Sequence, residues 1–168
     1  IPSPRGGPLW GPKTHRSTNM ALPPSYQLAL DMFGLGPESD SLRSEIWDLL
    51  EPHVGATIDQ HIADANRFAP LYRKVMEKYG KVLRQHDIEY TRRLFKNPFD
   101  EQWVTDTKER VEREIQLGFD MRFRGVVARY ILSNFYEIVR KRRRLFGTNA
   151  LRLADVAMRV LTLDTANA

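Results

Sequence analysis

Few side chains in this 168-residue chain are suited to chemistry, because it holds four histidines and no cysteine. Without thiols there is no disulfide, thiolate metal site or cysteine nucleophile, and a cysteine-free chain fits a cytoplasmic protein. His53 and His61 stand eight residues apart on one predicted helix, about 12 Å of rise. That is too far to share a metal ion. His15 lies among prolines and glycines that give it no fixed position, and His86 stands alone on a predicted helix. A phosphate loop, a metalloprotease helix and a Ser/His/acid order at familiar spacing are all missing from the sequence. The residues therefore predict a protein that is not an enzyme.

Charge offers a second kind of site. The formal net charge is +5, and the run Arg140, Lys141, Arg142, Arg143, Arg144 concentrates five cations in one place. Cations gathered at a helix end meet the negative pole of the macrodipole and the last free carbonyls, which explains such a run without a ligand. The alternative is a basic helical module that holds nucleic acid through residues 140–144, with affinity falling steeply with salt. No aromatic or polar readers interleave with the run, so the first reading is preferred and no nucleic acid is expected. Charges also interrupt every apolar stretch before the ~18–20 residues of a membrane span.

Positioning falls to helices. Residues 1–19 carry four prolines and three glycines without hydrophobic period, and are expected to be a disordered lead before a single domain at 20–168. From Ser25 onward the apolar spacing is helical. One short helix over Ser25 to Phe33 precedes the Gly34-Leu35-Gly36-Pro37 break. A second, from about Ser39–Ser41 through Leu50, is followed by a third opened by Pro52, because proline suits a first helical turn. A short helix from Pro70 is expected to stop at Gly80, and another to cover 81–96 before Asn97-Pro98. Asp100 is placed to cap a helix that Gly118 stops, and Asp120 to cap a long one reaching the basic run. Gly147 to Asn149 separates the last helix. No alternating strand pattern appears, so the fold class is all-α.

Three ordered segments then resemble the sensory domain of bacterial globin-coupled sensors. They are Ile46-Trp47-Asp48-Leu49-Leu50-Glu51-Pro52 with Ile58-Asp59, the stretch Glu112 to Phe123 containing Ile115-Gln116-Leu117-Gly118, and Arg152 to Asp164 with its leucine-aspartate ending. The resemblance implies a globin-like fold with an extra N-terminal helix, and a signal-input domain of a cytosolic protein. It further implies a homodimer formed by the last two helices, for which Val126, Tyr130, Val156, Val160 and Leu163 are the candidate contacts. A covalently linked output domain beyond residue 168, such as a chemotaxis transducer, cyclase or kinase, would receive the signal.

At the haem site the sequence departs from the family. The histidine that binds iron falls at Glu114, a hard carboxylate where a nitrogen ligand belongs. The distal tyrosine falls at Ile62, which has no polar group to offer a bound gas. His86, on the helix that covers the distal side of haem in globins, is the best replacement ligand. Both changes favour a haem-free domain that kept its relay, so no cofactor is expected; the alternative is haem b held through His86, with a gas as the signal. Glu114 follows Arg110 by four residues and lies near the stripe of Val104, Thr107, Val111 and Leu117. It is expected at the edge of that stripe, paired with arginine.

Overall fold

A proline pair precedes the first described helix: Pro24 supplies the first turn of α1 (Pro24–Phe33), where its missing N–H costs nothing. The computed structural model describes residues 22–68, 73–119, 122–141 and 149–166. The expected lead, the cap at Asp120 and most of the basic run lie outside these residues. Helix α1 ends at Gly34, whose φ of 60° is the left-handed conformation that glycine adopts without penalty. A 3-10 turn (Pro37–Ser39) leads into α2 (Asp40–Phe68). Helices α3 (Arg73–Lys96), α4 (Glu101–Gln116), α5 (Arg122–Lys141) and α6 (Asn149–Ala166) follow. The described residues form an all-α fold of six α-helices, and none is long and apolar enough to cross a membrane.

Two expected helix boundaries are absent. Pro52 lies inside α2, which runs unbroken for 29 residues. Its ring removes the hydrogen bond to the carbonyl of Asp48, and both residues lie on the exposed side of the helix. Ile46 and Leu50 before the proline, and Val54 and Ile58 after it, enter the same core. Packing on both sides of Pro52 holds the helix together. Gly80 likewise sits inside α3 and does not end it. Its local preference for a stop is overridden by Leu83, Tyr90, Leu94 and Phe95, which bury the helix beyond it.

Two other signals, at Asp100 and Gly118, act as anticipated. Asp100 caps α4 by accepting a 3.1 Å bond from the Trp103 N–H. At the far end Gly118 takes φ 79°. There the N–H groups of Gly118 and Phe119 donate to the carbonyls of Ile115 and Glu114, each at 2.9 Å, closing the helix as a left-handed glycine cap.

Helix α6 is central. Leu153, Val160 and Leu163 are fully buried, and the helix packs against α1, α2 and α5. Arg43 locks a corner of the bundle: its Nη1 donates to the carbonyls of Leu94 at 2.8 Å and Asn97 at 2.9 Å. Its guanidinium also lies 4.1 Å over the ring of Phe99. A fully buried cation thus satisfies the C-terminal carbonyls of α3 from α2.

Gly80 leads to a stability prediction. A Cβ added there meets nothing within 4 Å, and glycine in a helix interior costs ~1 kcal/mol relative to alanine. Gly80→Ala is expected to raise the free energy of unfolding by about 0.5–1 kcal/mol in urea titrations. No change, or a loss, would mean that α3 is already interrupted at this point.

Candidate functional site

Helix α4 presents a polar stripe inward, a departure from the usual apolar one. Thr107 and Arg110 are buried and Glu114 half-buried, each on the side that faces α3, α5 and α6. Arg110 is the centre. Its Nη1 lies 3.4 Å from Asp164 on α6 and its Nη2 3.8 Å from Asp87 on α3. Its Nε is 2.8 Å from Glu114, an ion contact without hydrogen-bond alignment. The guanidinium also stacks 4.1 Å from the ring centre of Tyr90. Tyr90 donates its hydroxyl to Asp164 at 2.5 Å and shares a 3.2 Å bond with Thr107. Three carboxylates around Arg110 hold its pKa above the ordinary arginine value, against the burial that opposes charge. Burial and the neighbouring Asp164 carboxylate push the Tyr90 hydroxyl up as well.

Glu114 bridges two arginines. Its second oxygen accepts from Nε of Arg124, in the first turn of α5, at 2.8 Å. Arg124 is 3% exposed, and its Nη1 and Nη2 are shielded from water with no hydrogen-bond partner. An unpaired buried donor costs about 1–3 kcal/mol, and more when charged. The position of Arg124 is therefore held by the rest of the structure against a local penalty.

These groups line one cavity of about 50 Å³, several times the ~10–15 Å³ that a single water needs. Asp87, Arg110, Glu114 and Arg124 form its polar side, while Ile62, Met76, Leu83 and Val127 supply much of its apolar side. His61 on α2 completes the wall. Its ring stands 5.8 Å from that of Tyr130, and burial lowers its pKa, so the imidazole is neutral at pH 7.

Two of the three residues singled out from the haem resemblance, Glu114 and Ile62, meet in this cavity. His86 does not line it. That side chain is half-buried on α3, and burial together with the charges of Arg113 and Arg93 lowers its pKa. Glu114 is paired with Arg110 as its spacing suggested, and is half-buried at 16% side-chain exposure. The carboxylate at the position that the resemblance gives to the iron ligand is held by two guanidinium groups.

The proposed dimer contacts need correction. Val156, Val160 and Leu163 are at most 6% exposed, because α6 turns them into the core of this same chain. Tyr130 is half-buried and donates its hydroxyl to Asp64 of α2. Of the five, Val126 alone is exposed, at 39%. The basic run is described only at Arg140 and Lys141, and Arg140 pairs at 2.7 Å with Glu137 one turn earlier. No three His, Cys, Asp or Glu side chains are grouped to hold a metal ion among the described residues.

Sequence reasoning missed Asp87, Arg124 and Asp164 as partners. Arg124 has Val127 and Ala128, and Asp164 has Val160 and Leu161, at helical spacing, which is the signal by which a buried charge is found, whereas Asp87 has Arg84 and Thr91 among its neighbours and gives no such signal. The spacing shows that such a residue lies inward, but not which opposite charge it meets. Neither family models nor curated proteins match this chain.

Asp87 gives the site a pH signature. Burial raises its carboxyl from 3.8 to about 6, with Glu114 and Asp164 acting in the same direction and Arg110 and Arg124 against it. Between these two values the folded chain binds a proton that the unfolded chain releases, so stability falls as pH rises. The contribution is complete below about pH 4 and lost above about pH 6. Relative to the wild type, Asp87→Asn is expected to gain about 2–3 kcal/mol of unfolding free energy between pH 4 and pH 7. Parallel urea titrations of both proteins check this; a difference independent of pH would show that the Asp87 carboxyl is not perturbed.

Proposed function

We propose that this chain is a non-enzymatic signal-input domain of the globin-coupled sensor type that works without haem. The observation that carries the reading is the state of Glu114. At the position where the resemblance places an iron ligand, both carboxylate oxygens lie 2.8 Å from arginine nitrogens. An ion-pair cluster has replaced coordination chemistry at the point from which such a domain receives its signal. A change of contacts at this cluster bears at once on α3, α4, α5 and α6. Those linked helices include the two that would carry the signal onward to an output domain.

Purified protein tests the haem-free part directly. After expression with haem precursor, or incubation with excess haemin, no stoichiometric Soret band is expected. A strong, saturable band of defined ligation would overturn the reading and favour a gas sensor.

Self-association belongs to the same proposal, but its contacts must come from side chains that remain exposed. On the last two helices these are Val126 and Tyr136 of α5, and Leu151 and Met158 of α6. Leu151 is 81% exposed, so a charge there disturbs no core. Sedimentation should show a dimer for the unaltered chain and a monomer for Leu151→Glu/Met158→Glu with unchanged helicity. A monomer in both cases, or a dimer in both, refutes this assignment.

A further inference from the structure

We propose that the outer face of α3, over Lys74, Lys78 and Lys81, docks on the anionic surface of a phospholipid bilayer. The surface is separate from the cavity and has no role in the haem-free reading, so either can fail without the other.

The face follows from helical spacing. Lys74, Lys78 and Lys81 stand at i, i+4 and i+7, which places them on one side of α3. All three are exposed, and their row covers about 10 Å of helix rise. Arg73, also exposed, adds a fourth cation at the start of the helix. On the other side of α3, Leu83, Tyr90 and Leu94 enter the core. That packing fixes the rotation of the helix and keeps the lysines outward.

These charges are not answered within the chain. Other cations at the surface meet carboxylates: Arg84 pairs with Asp59, Arg92 with Glu89, Lys96 with Asp48, Arg140 with Glu137 and Arg159 with Asp155. Arg73, Lys74 and Lys81 have no such partner among the described residues. Lys78 lies 4.9 Å from the ring centre of Tyr79 instead of a carboxylate. Lys108, Arg129 and Arg152 stand singly on α4, α5 and α6, so α3 holds the concentrated positive field. Held this close, like charges repel one another, and an external polyanion relieves that repulsion.

The shape and chemistry of the face favour lipid. A convex helix surface encloses no small ligand. Lysine offers a mobile point charge and lacks the planar fork with which arginine reads base edges. Glu77, the single acid between residues 73 and 85, lies on one margin of the row. Val82, 38% exposed, lies on the other. At a bilayer the lysines reach the phosphates while the margin of Val82 and Tyr79 meets the boundary between headgroups and acyl chains. A nucleic-acid duplex has no such apolar layer beneath its phosphates. An acidic protein would need carboxylates set in register, whereas fluid headgroups move to the cations. No helix among the described residues is long and apolar enough to cross the bilayer, so the contact is peripheral.

Cosedimentation of the full chain with vesicles tests the proposal. Binding is expected to phosphatidylcholine vesicles containing about one third phosphatidylglycerol at low salt, to fall steeply as salt is raised, and to be absent with phosphatidylcholine alone. Each lysine near an anionic bilayer is worth about fivefold in partition coefficient. Lys74→Gln/Lys78→Gln/Lys81→Gln should therefore weaken binding tenfold or more with unchanged helicity. Lys108→Gln/Arg129→Gln/Arg152→Gln removes the same charge and should change it less than threefold. No binding of the wild type to the anionic vesicles overturns the proposal without any variant. Equal losses in the two variants, or no loss in the α3 variant, overturn the assignment to this face. Binding to duplex DNA or polyglutamate that is tighter than to the vesicles and is abolished by the α3 exchanges would give the face to that partner and overturn the proposal as well.

Discussion

Arg110 carries a permanent charge into the helical layer around the cavity, and the arrangement of its neighbours follows from the need to compensate that charge. A guanidinium cannot shed its proton as a buried lysine can, so carboxylates must come to it. Asp164 from α6, Glu114 one turn along α4 and Asp87 from α3 do so, while Tyr90 lies flat against it. Breaking a buried pair by deleting one partner commonly costs ~3–5 kcal/mol, although the intact pair adds little over a well-packed apolar contact. A cluster of this type fixes which faces meet more than it adds to total stability. Here it sets how α4 sits against α3 and α6.

From that constraint comes the shape of the cavity. Glu114 has two oxygens, and after Arg110 takes one, the other is free to hold Arg124 at the start of α5. The glycine cap at Gly118 turns the chain immediately after α4, which brings the beginning of α5 back toward Glu114. Arg124 thus arrives with one nitrogen paired and two without partners. The apolar side chains of α2, α3 and α5 enclose the remaining space but supply no acceptor. Helix α4 contributes only charged groups to the cavity, whereas α2, α3 and α5 each contribute a polar and an apolar side chain or more.

The same geometry limits where the molecule can meet a partner. Helix α6 is buried over so wide an arc that Val156, Val160 and Leu163 are spent on its own core. Its outward side retains Leu151 and Met158. Helix α6 also carries Asp164, so one element touches both the Arg110 cluster and the exposed outer face.

Much of the fold was legible from apolar period and from local chemistry. The all-α class, the cap at Asp100, the turn at Gly118 and the pairing of Glu114 with Arg110 depend on residues within a turn or two of each other. Glu114 and Ile62, which the resemblance placed on opposite sides of an expected haem, line one cavity, and no local spacing announces that meeting. Tertiary structure alone decided what Pro52 and Gly80 do, because packing beyond each residue outweighs the ~1–3 kcal/mol of local preference. It also decided which side of α6 faces inward, since a helix apolar over most of its circumference does not declare its exposed edge. The meeting of Arg110 with Asp87 and Asp164, residues 23 and 54 positions away, lay outside any local pattern. Charges pair through space, and the sequence specifies that space only after every helix has been packed.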